Sequence, residues 1–141
     1  MPERKTLERA RKAKREGKAP TTQAGEFVHE EIEYIREGKH GARSTKPAIA
    51  IGLSKARRAG VKLKPPKKGQ ASARTRKSAA RAYRAGQSGT RRKPSAKRSR
   101  ATLRRLKREP RRVASRKALS KQARSAAKRG RRTRRTTTSR E

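Results

Sequence analysis

The sequence predicts a mainly α fold: a small helical hairpin flanked by basic arms that are largely disordered or only conditionally helical. Three observations carry that reading. Residues 25–60 hold Phe27, Val28, Ile32, Tyr34, Ile35, Ile49, Ile51 and Leu53, most of the large apolar side chains in the chain. In the first half of that stretch they recur at helical spacing. The chain as a whole carries 47 Lys and Arg against 10 acids, with 28% hydrophobic residues. Such a balance leaves little apolar surface to offset the entropy of ordering, and like charges repel in any compact state.

The charge is uneven. Residues 1–20 carry 8 bases and 3 acids, residues 21–64 carry 9 and 5, and residues 65–141 carry 30 and 2. These segments define a basic N-terminal arm, a helical hairpin that doubles as a candidate oligomerisation module, and a strongly basic arm rich in Ala, Arg, Lys and Ser. The third segment is the electrostatic footprint. Cysteine is absent, which excludes disulfides and thiolate metal sites. No apolar run approaches the ~18 residues of a membrane span, and the start MPERKTLERA lacks the apolar region of a secretory signal. A soluble intracellular protein is expected.

Taken in order, residues 3–16 are helix formers with one large apolar residue, Leu7. They suit a solvated helix at best, since short isolated helices are marginal, with Gly17 and Pro20 ending it. Residues 26–37 form the clearest amphipathic helix: Val28, Ile32 and Ile35 share one face, with Phe27, Glu31 and Tyr34 along its edge. Five acids, Glu26, Glu30, Glu31, Glu33 and Glu37, lie here. A helix this acidic repels phosphates and should face protein: the second helix, another protomer, or the basic arms.

A loop over 38–45 leads to a second helix from about Lys46 to Ala59, with Ser44 or Thr45 as cap, Pro47 in the first turn and Gly60 as stop. Ile49, Ile51 and Leu53 alternate, which is also strand spacing, but the alanines, Pro47 and the basic last turn favour helix. As a helix it has two apolar faces, Ile49 and Leu53 on one and Ile51 on the other. Two faces, in a hairpin too small for a lone core, point to a homodimer through residues 21–64. The hairpin core or oligomer interface is then Phe27, Val28, Ile32, Ile35, Ile49, Ile51 and Leu53.

Residues 61–64 add a short extended tail before Pro65-Pro66, the expected domain boundary. Beyond it come three helical patterns, over 72–85 closed by Gly86, over 95–109 ended by Pro110, and over 111–129 stopped by Gly130, followed by a disordered tail.

The residues expected to contact nucleic acid follow from this layout. On the hairpin they are Lys46, Lys55, Arg57 and Arg58. Around the first arm unit they are Lys67, Lys68, Arg74, Arg76, Lys77, Arg81 and Arg84. Around the second they are Arg91, Arg92, Lys93, Lys97, Arg98, Arg100, Arg104, Arg105, Lys107 and Arg108. The last unit and tail supply Arg111, Arg112, Arg116, Lys117, Lys121, Arg124, Lys128, Arg129, Arg131, Arg132, Arg134 and Arg135. Arginine outnumbers lysine, which favours bidentate phosphate contacts. Phe27, Tyr34 and Tyr83 are the only aromatics, so a stacking platform for single strands or RNA loops is nearly absent. Recognition should be of backbone rather than bases. The loop is also longer than the usual helix-turn-helix connection.

Catalysis has no support: aspartate is absent, and His29 and His40, the only histidines, read as exposed or helix-surface residues rather than a metal pair. No Gly-rich phosphate loop occurs. Cofactors, metals, a membrane partner and a small-molecule substrate are not expected.

The segment ARSTKPAIAIGLSKARRAGV resembles a pattern in small basic bacterial proteins of unknown function, S-[TR]-K-Q-A-I-A-I-[AG]-L-S-[KE]-A-R-R, with Pro47 where that pattern often has Gln. The likeness covers roughly residues 25–62 and implies a bacterial origin. The basic arm resembles the tails of bacterial linker-histone-like proteins, which implies nucleoid binding without sequence reading. The resulting expectation is a non-enzymatic, histone-like DNA-binding protein of the bacterial cytoplasm and nucleoid. The alternatives are an RNA- or ribosome-associated basic protein, or an adaptor recruiting a protein to DNA through the acidic helix.

Overall fold

Pro20 decides where the hairpin begins. It stands at the first position of a helix that runs Pro20–Arg36, where its fixed φ suits the turn and its missing N–H leaves no bond unmade. The amphipathic helix therefore starts one and a half turns earlier than its apolar pattern suggests, straight through Gly25. The computed structural model describes residues 2–89, 93 and 95–138, with backbone alone at 133 and 135–138. It is mainly α. Its helices are α1 (Arg4–Arg15), α2 (Pro20–Arg36), α3 (Thr45–Arg58), α4 (Ala73–Ser88), α5 (Ala96–Arg108) and α6 (Arg116–Thr138), with a 3-10 turn at Arg112–Ala114 before α6. An isolated bridge between Lys68 and Ala71 is the one β feature among the described residues.

The hairpin is α2 against α3, and small residues make it close. Ala48, Gly52 and Ala56, four apart on α3, are all buried. A Cβ added at Gly52 would stand 2.6 Å from Val28 Cα, so glycine is what lets the two backbones approach. Two apolar clusters flank this crossing. One joins Ala10, Ala24, Phe27, Ala56 and Val61, with Leu7, Leu53, Ala59 and Leu63 packed on it. The other joins Ile32, Ile35, Ala42, Ala48, Val113 and Ala114, with Val28 and Leu119 packed on it.

Two of the residues expected in the hairpin core or oligomer interface lie outside the core of this chain. Ile49 and Ile51 are only half-buried and join neither cluster, because the interior side of α3 is built from alanine and glycine. The ambiguity between helix and strand resolves as helix. α3 also packs against α4, which buries Ala79 and Ala82, so α3 has packing partners on more than one helix of the chain. Gly86 is not a stop: it sits inside α4 against the carbonyl of Arg57, and the helix ends at Gly89 with φ 68°.

α1 is docked rather than solvated. It packs on α2 through Thr6, Ala10 and Ala13, all buried. These are small side chains that bury little area each but allow close approach. α6 likewise continues through Gly130 to Thr138, so residues 131–138, expected disordered, are helical; residues 139–141 lie outside the described residues.

The segment joining α5 to α6 returns to the hairpin and becomes part of its core. Gly41 N–H donates to the Leu106 carbonyl at 2.8 Å and Ala42 N–H to that of Pro110 at 3.0 Å. Thr45 Oγ1 donates to the Val113 carbonyl at 2.9 Å, and Arg36 Nε to that of Ala114 at 3.0 Å. A Cβ at Gly41 would overlap the Glu109 carbonyl. The hairpin loop is thus shaped to receive this segment.

Candidate nucleic-acid interface

The first question for a chain of net charge +37 is which cations are already spent inside the fold. Two acids of α2, Glu30 and Glu31, are buried and engage one of them, Lys55. Glu31, 1% exposed, accepts from Lys55 Nζ through Oε1, while its Oε2 lies 3.1 Å from His40 Nε2. Glu30 Oε1 accepts from the Glu3 N–H at 2.5 Å, Thr6 Oγ1 at 3.2 Å and the Tyr34 hydroxyl at 3.2 Å. A carboxylate is thereby set at the N-terminal end of α1, where the helix dipole favours it. Lys55 also lies 3.8 Å from Glu30 Oε2. Burial, with Glu30 and Glu3 beside it, holds the Tyr34 hydroxyl well above the ordinary phenol range. His40, expected exposed, is buried in this network. The acidic helix faces protein: α1, α3 and its own loop.

Three of the cations expected at phosphates therefore work inside the chain. Lys55 is ion-paired with Glu31. Arg57, 7% exposed, donates to the carbonyls of Leu63 at 3.1 Å and Lys64 at 3.4 Å, and its burial lowers its pKa from the guanidinium value. Arg111 donates through Nε to the Ile35 carbonyl at 3.2 Å and through Nη2 to that of Arg36 at 2.6 Å. It satisfies the last carbonyls of α2, which have no partner within the helix. Composition could not separate these from the rest; Lys55 and Arg111 are marked by contacts distant in sequence, and Arg57 by the turn of the chain back over it at Leu63 and Lys64.

The remaining cations are arranged by helix geometry. On α4, Arg74, Lys77, Arg81 and Arg84 are exposed and recur at i, i+3, i+7 and i+10, on the side away from buried Ala79 and Ala82. Arg76 is half-buried, with Nε making no hydrogen bond. Lys46 and Arg58 on α3, and Lys67 and Lys68 in the following linker, are exposed.

α5 carries seven cations and no acid in 13 residues, and none of its residues is buried. Lys97, Arg100, Arg104, Lys107 and Arg108 follow one face, with Arg98 and Arg105 at its edge; Ser99, Thr102, Leu103 and Leu106 lie opposite. None of these cations forms an ion pair among the described residues.

α6 carries ten cations and no acid in 23 residues. Lys117, Lys121, Arg124, Lys128 and Arg131, all exposed, recur at i, i+4, i+7, i+11 and i+14, a straight stripe along the helix. Arg135 continues it by position. Arg112, Arg116, Arg129, Arg132 and Arg134 are exposed around it, and Lys93 is exposed before α5. Arg91 and Arg92 lie outside the described residues. α5 and α6 do not pack against each other.

What this surface offers chemically is positive charge on helical half-cylinders. Aromatics are absent from residues 84–141, so the two helices have no ring on which to stack a base. Among the described residues no cluster of metal-binding side chains occurs, and no helix is long and apolar enough to cross a membrane. Compared with protein-family models, curated proteins and solved structures, the chain matches none.

Proposed function

We propose that this chain is a non-enzymatic nucleic-acid-binding protein that grips duplex DNA through its phosphate backbone without reading bases. One observation carries the reading: α5 and α6 hold seven and ten cations without a single acid, on helices with no buried side chain among the described residues. A helix of ~10–12 Å diameter fits the ~12 Å major groove of B-DNA, whereas the major groove of duplex RNA is too narrow for side chains to read. DNA is therefore favoured over RNA. The site of action that accompanies this reading is the bacterial nucleoid, where a histone-like role needs no sequence preference.

Each phosphate neutralised on duplex DNA releases counterions, so log affinity should fall with log salt at a slope of about −0.9 per contact. The stripe of α6 alone predicts a slope of about −4.5 for five contacts. Fluorescence anisotropy with a duplex of random sequence across a salt series measures it. A slope near zero overturns the proposal, and preferential competition by structured RNA at fixed salt redirects it.

A further inference from the structure

We infer that one molecule holds two duplex segments at once, α6 on one and α5 on the other, so that the protein bridges DNA. The inference rests on the DNA-binding reading above and goes beyond it by assigning valency.

The joint between the two cationic helices carries the argument. A basic arm of this composition would ordinarily be a flexible string with no fixed division between the surfaces it touches. Here the connection is built into the core. Val113 is 7% and Ala114 1% exposed, both within the cluster that contains Ile32 and Ile35. Backbone carbonyls on either side of the joint are held by Gly41, Ala42, Thr45 and Arg36. Glu109 is extended, with φ −77° and ψ 153°, and Pro110 follows it, so α5 and α6 cannot merge into one rod. They leave a fixed joint as separate helices and form no helix pair with each other.

Length and charge then separate their targets. α6, at 23 residues, is about 35 Å long at 1.5 Å per residue. That matches one helical turn of duplex, 34–36 Å. A duplex lying along the α6 stripe has its contact face used over that turn. α5 retains Lys97, Arg100, Arg104, Lys107 and Arg108 on its own face, unpaired among the described residues. Bringing both helices onto one short segment would crowd two acid-free helices together against their mutual repulsion. A second duplex meets no such penalty.

The test uses the full chain with two 30-bp duplexes of unrelated sequence, one biotinylated and one fluorescent. Capture on streptavidin reads bridging, and analytical ultracentrifugation reads how many chains each bridged complex contains. The wild-type chain should bring down the fluorescent duplex, with one chain per two duplexes. The variant R100Q/R104Q/K107Q, which alters only exposed α5 side chains, should bind a single duplex with a salt slope shallower by at most about 2.7. Its co-capture should fall to the level without protein. A circular-dichroism melt matching wild type shows that the fold is intact. Single-duplex binding with no co-capture by wild type overturns the inference and leaves the DNA-binding reading standing. So does co-capture by complexes holding two chains, or co-capture that survives the α5 substitutions. Failure of wild type to bind either duplex overturns both.

Discussion

α2 and α5 are both amphipathic helices, and they differ in what meets their polar sides. The acids of α2 are met from within: Glu31 by Lys55 and His40, Glu30 by Thr6, Tyr34 and the start of α1. The cations of α5 form no ion pair among the described residues, and none of its residues is buried. Charge satisfied inside the chain fixes a core, whereas charge left unsatisfied is available to an external polyanion. The first 37 residues hold eight of the ten acids, and the two that are buried, Glu30 and Glu31, belong to the fixed half of the molecule. Substitutions on the two sides should accordingly have opposite signatures, one in stability and the other in binding.

The largest stability effect is expected at Glu31. Removing a buried carboxylate that serves both Lys55 and His40 leaves Lys55 only its longer contact to Glu30, and broken buried pairs typically destabilise by about 3–5 kcal/mol. Glu31→Ala should therefore lower the urea midpoint of the full chain by a large margin. Glu33→Ala is the matched control. Its pair with Arg36, 3.0 Å apart, is about 40% exposed on both sides, and such pairs contribute about 0–1 kcal/mol. Equal losses in the two variants would mean that the network around Glu31 is not what holds α2.

Gly41→Ala comes next. Its Cβ would occupy the space of the Glu109 carbonyl, and overpacking a tight contact costs about 1–3 kcal/mol. The damage should be local as well as global. Amide hydrogen exchange should speed up over 106–115, the joint between α5 and α6, more than within α2. Unchanged exchange there would refute the docking of that segment.

How much of this was legible beforehand differs between the two halves for a physical reason. The hairpin announced itself through Val28, Ile32 and Ile35, because bulky residues at helical spacing are a strong local signal. α1 did not, since Thr6, Ala10 and Ala13 bury little area each and look like helix surface. Pro20 and the glycines were misread because one residue type has several uses. Pro20 both follows one helix and opens the next, and Gly86 and Gly130 lie within helices rather than ending them. The return of residues 106–114 to the loop at Gly41 left no local trace at all, being a contact across more than sixty residues of chain. For the candidate site, the cationic faces of α5 and α6 follow from spacing alone. The internal roles of Lys55, Arg57 and Arg111 required knowing which carbonyls and carboxylates lay beside them.

A smaller and opposite effect is expected at Gly130. It lies inside α6 with nothing within 4 Å of an added Cβ, so Gly130→Ala should favour the helix by about 1 kcal/mol. Because the described side chains of the far half of α6 are exposed, the gain should appear as ellipticity at 222 nm and slower amide exchange around residue 130. The midpoint of core unfolding should stay where it is. A shift in that midpoint would show that this half of α6 is coupled to α2 and α3, and the contrast between fixed and projecting regions would fail.

The smallest effect separates a partnered charge from a stabilising one. Glu16 is exposed, yet the hydrogen bond and charge of Lys18, 3.0 Å away, hold its carboxyl below the ordinary glutamate value. A lowered folded pKa means that the unfolded chain binds the proton more readily. The contribution is therefore present above the unfolded glutamate pKa and is lost as pH falls through the lowered folded value. Lys18→Ala should move the Glu16 carboxyl upward in a carbon-13 NMR titration. Solvent screening of so exposed a pair should leave the thermal midpoint at neutral pH unmoved. An upward shift with an unchanged midpoint would show that even a surface acid of the first region is met by a cation of its own chain without helping to hold the fold. A fall in that midpoint would instead make the turn between α1 and α2 part of the fixed core, and extend the partnered half of the molecule to its surface.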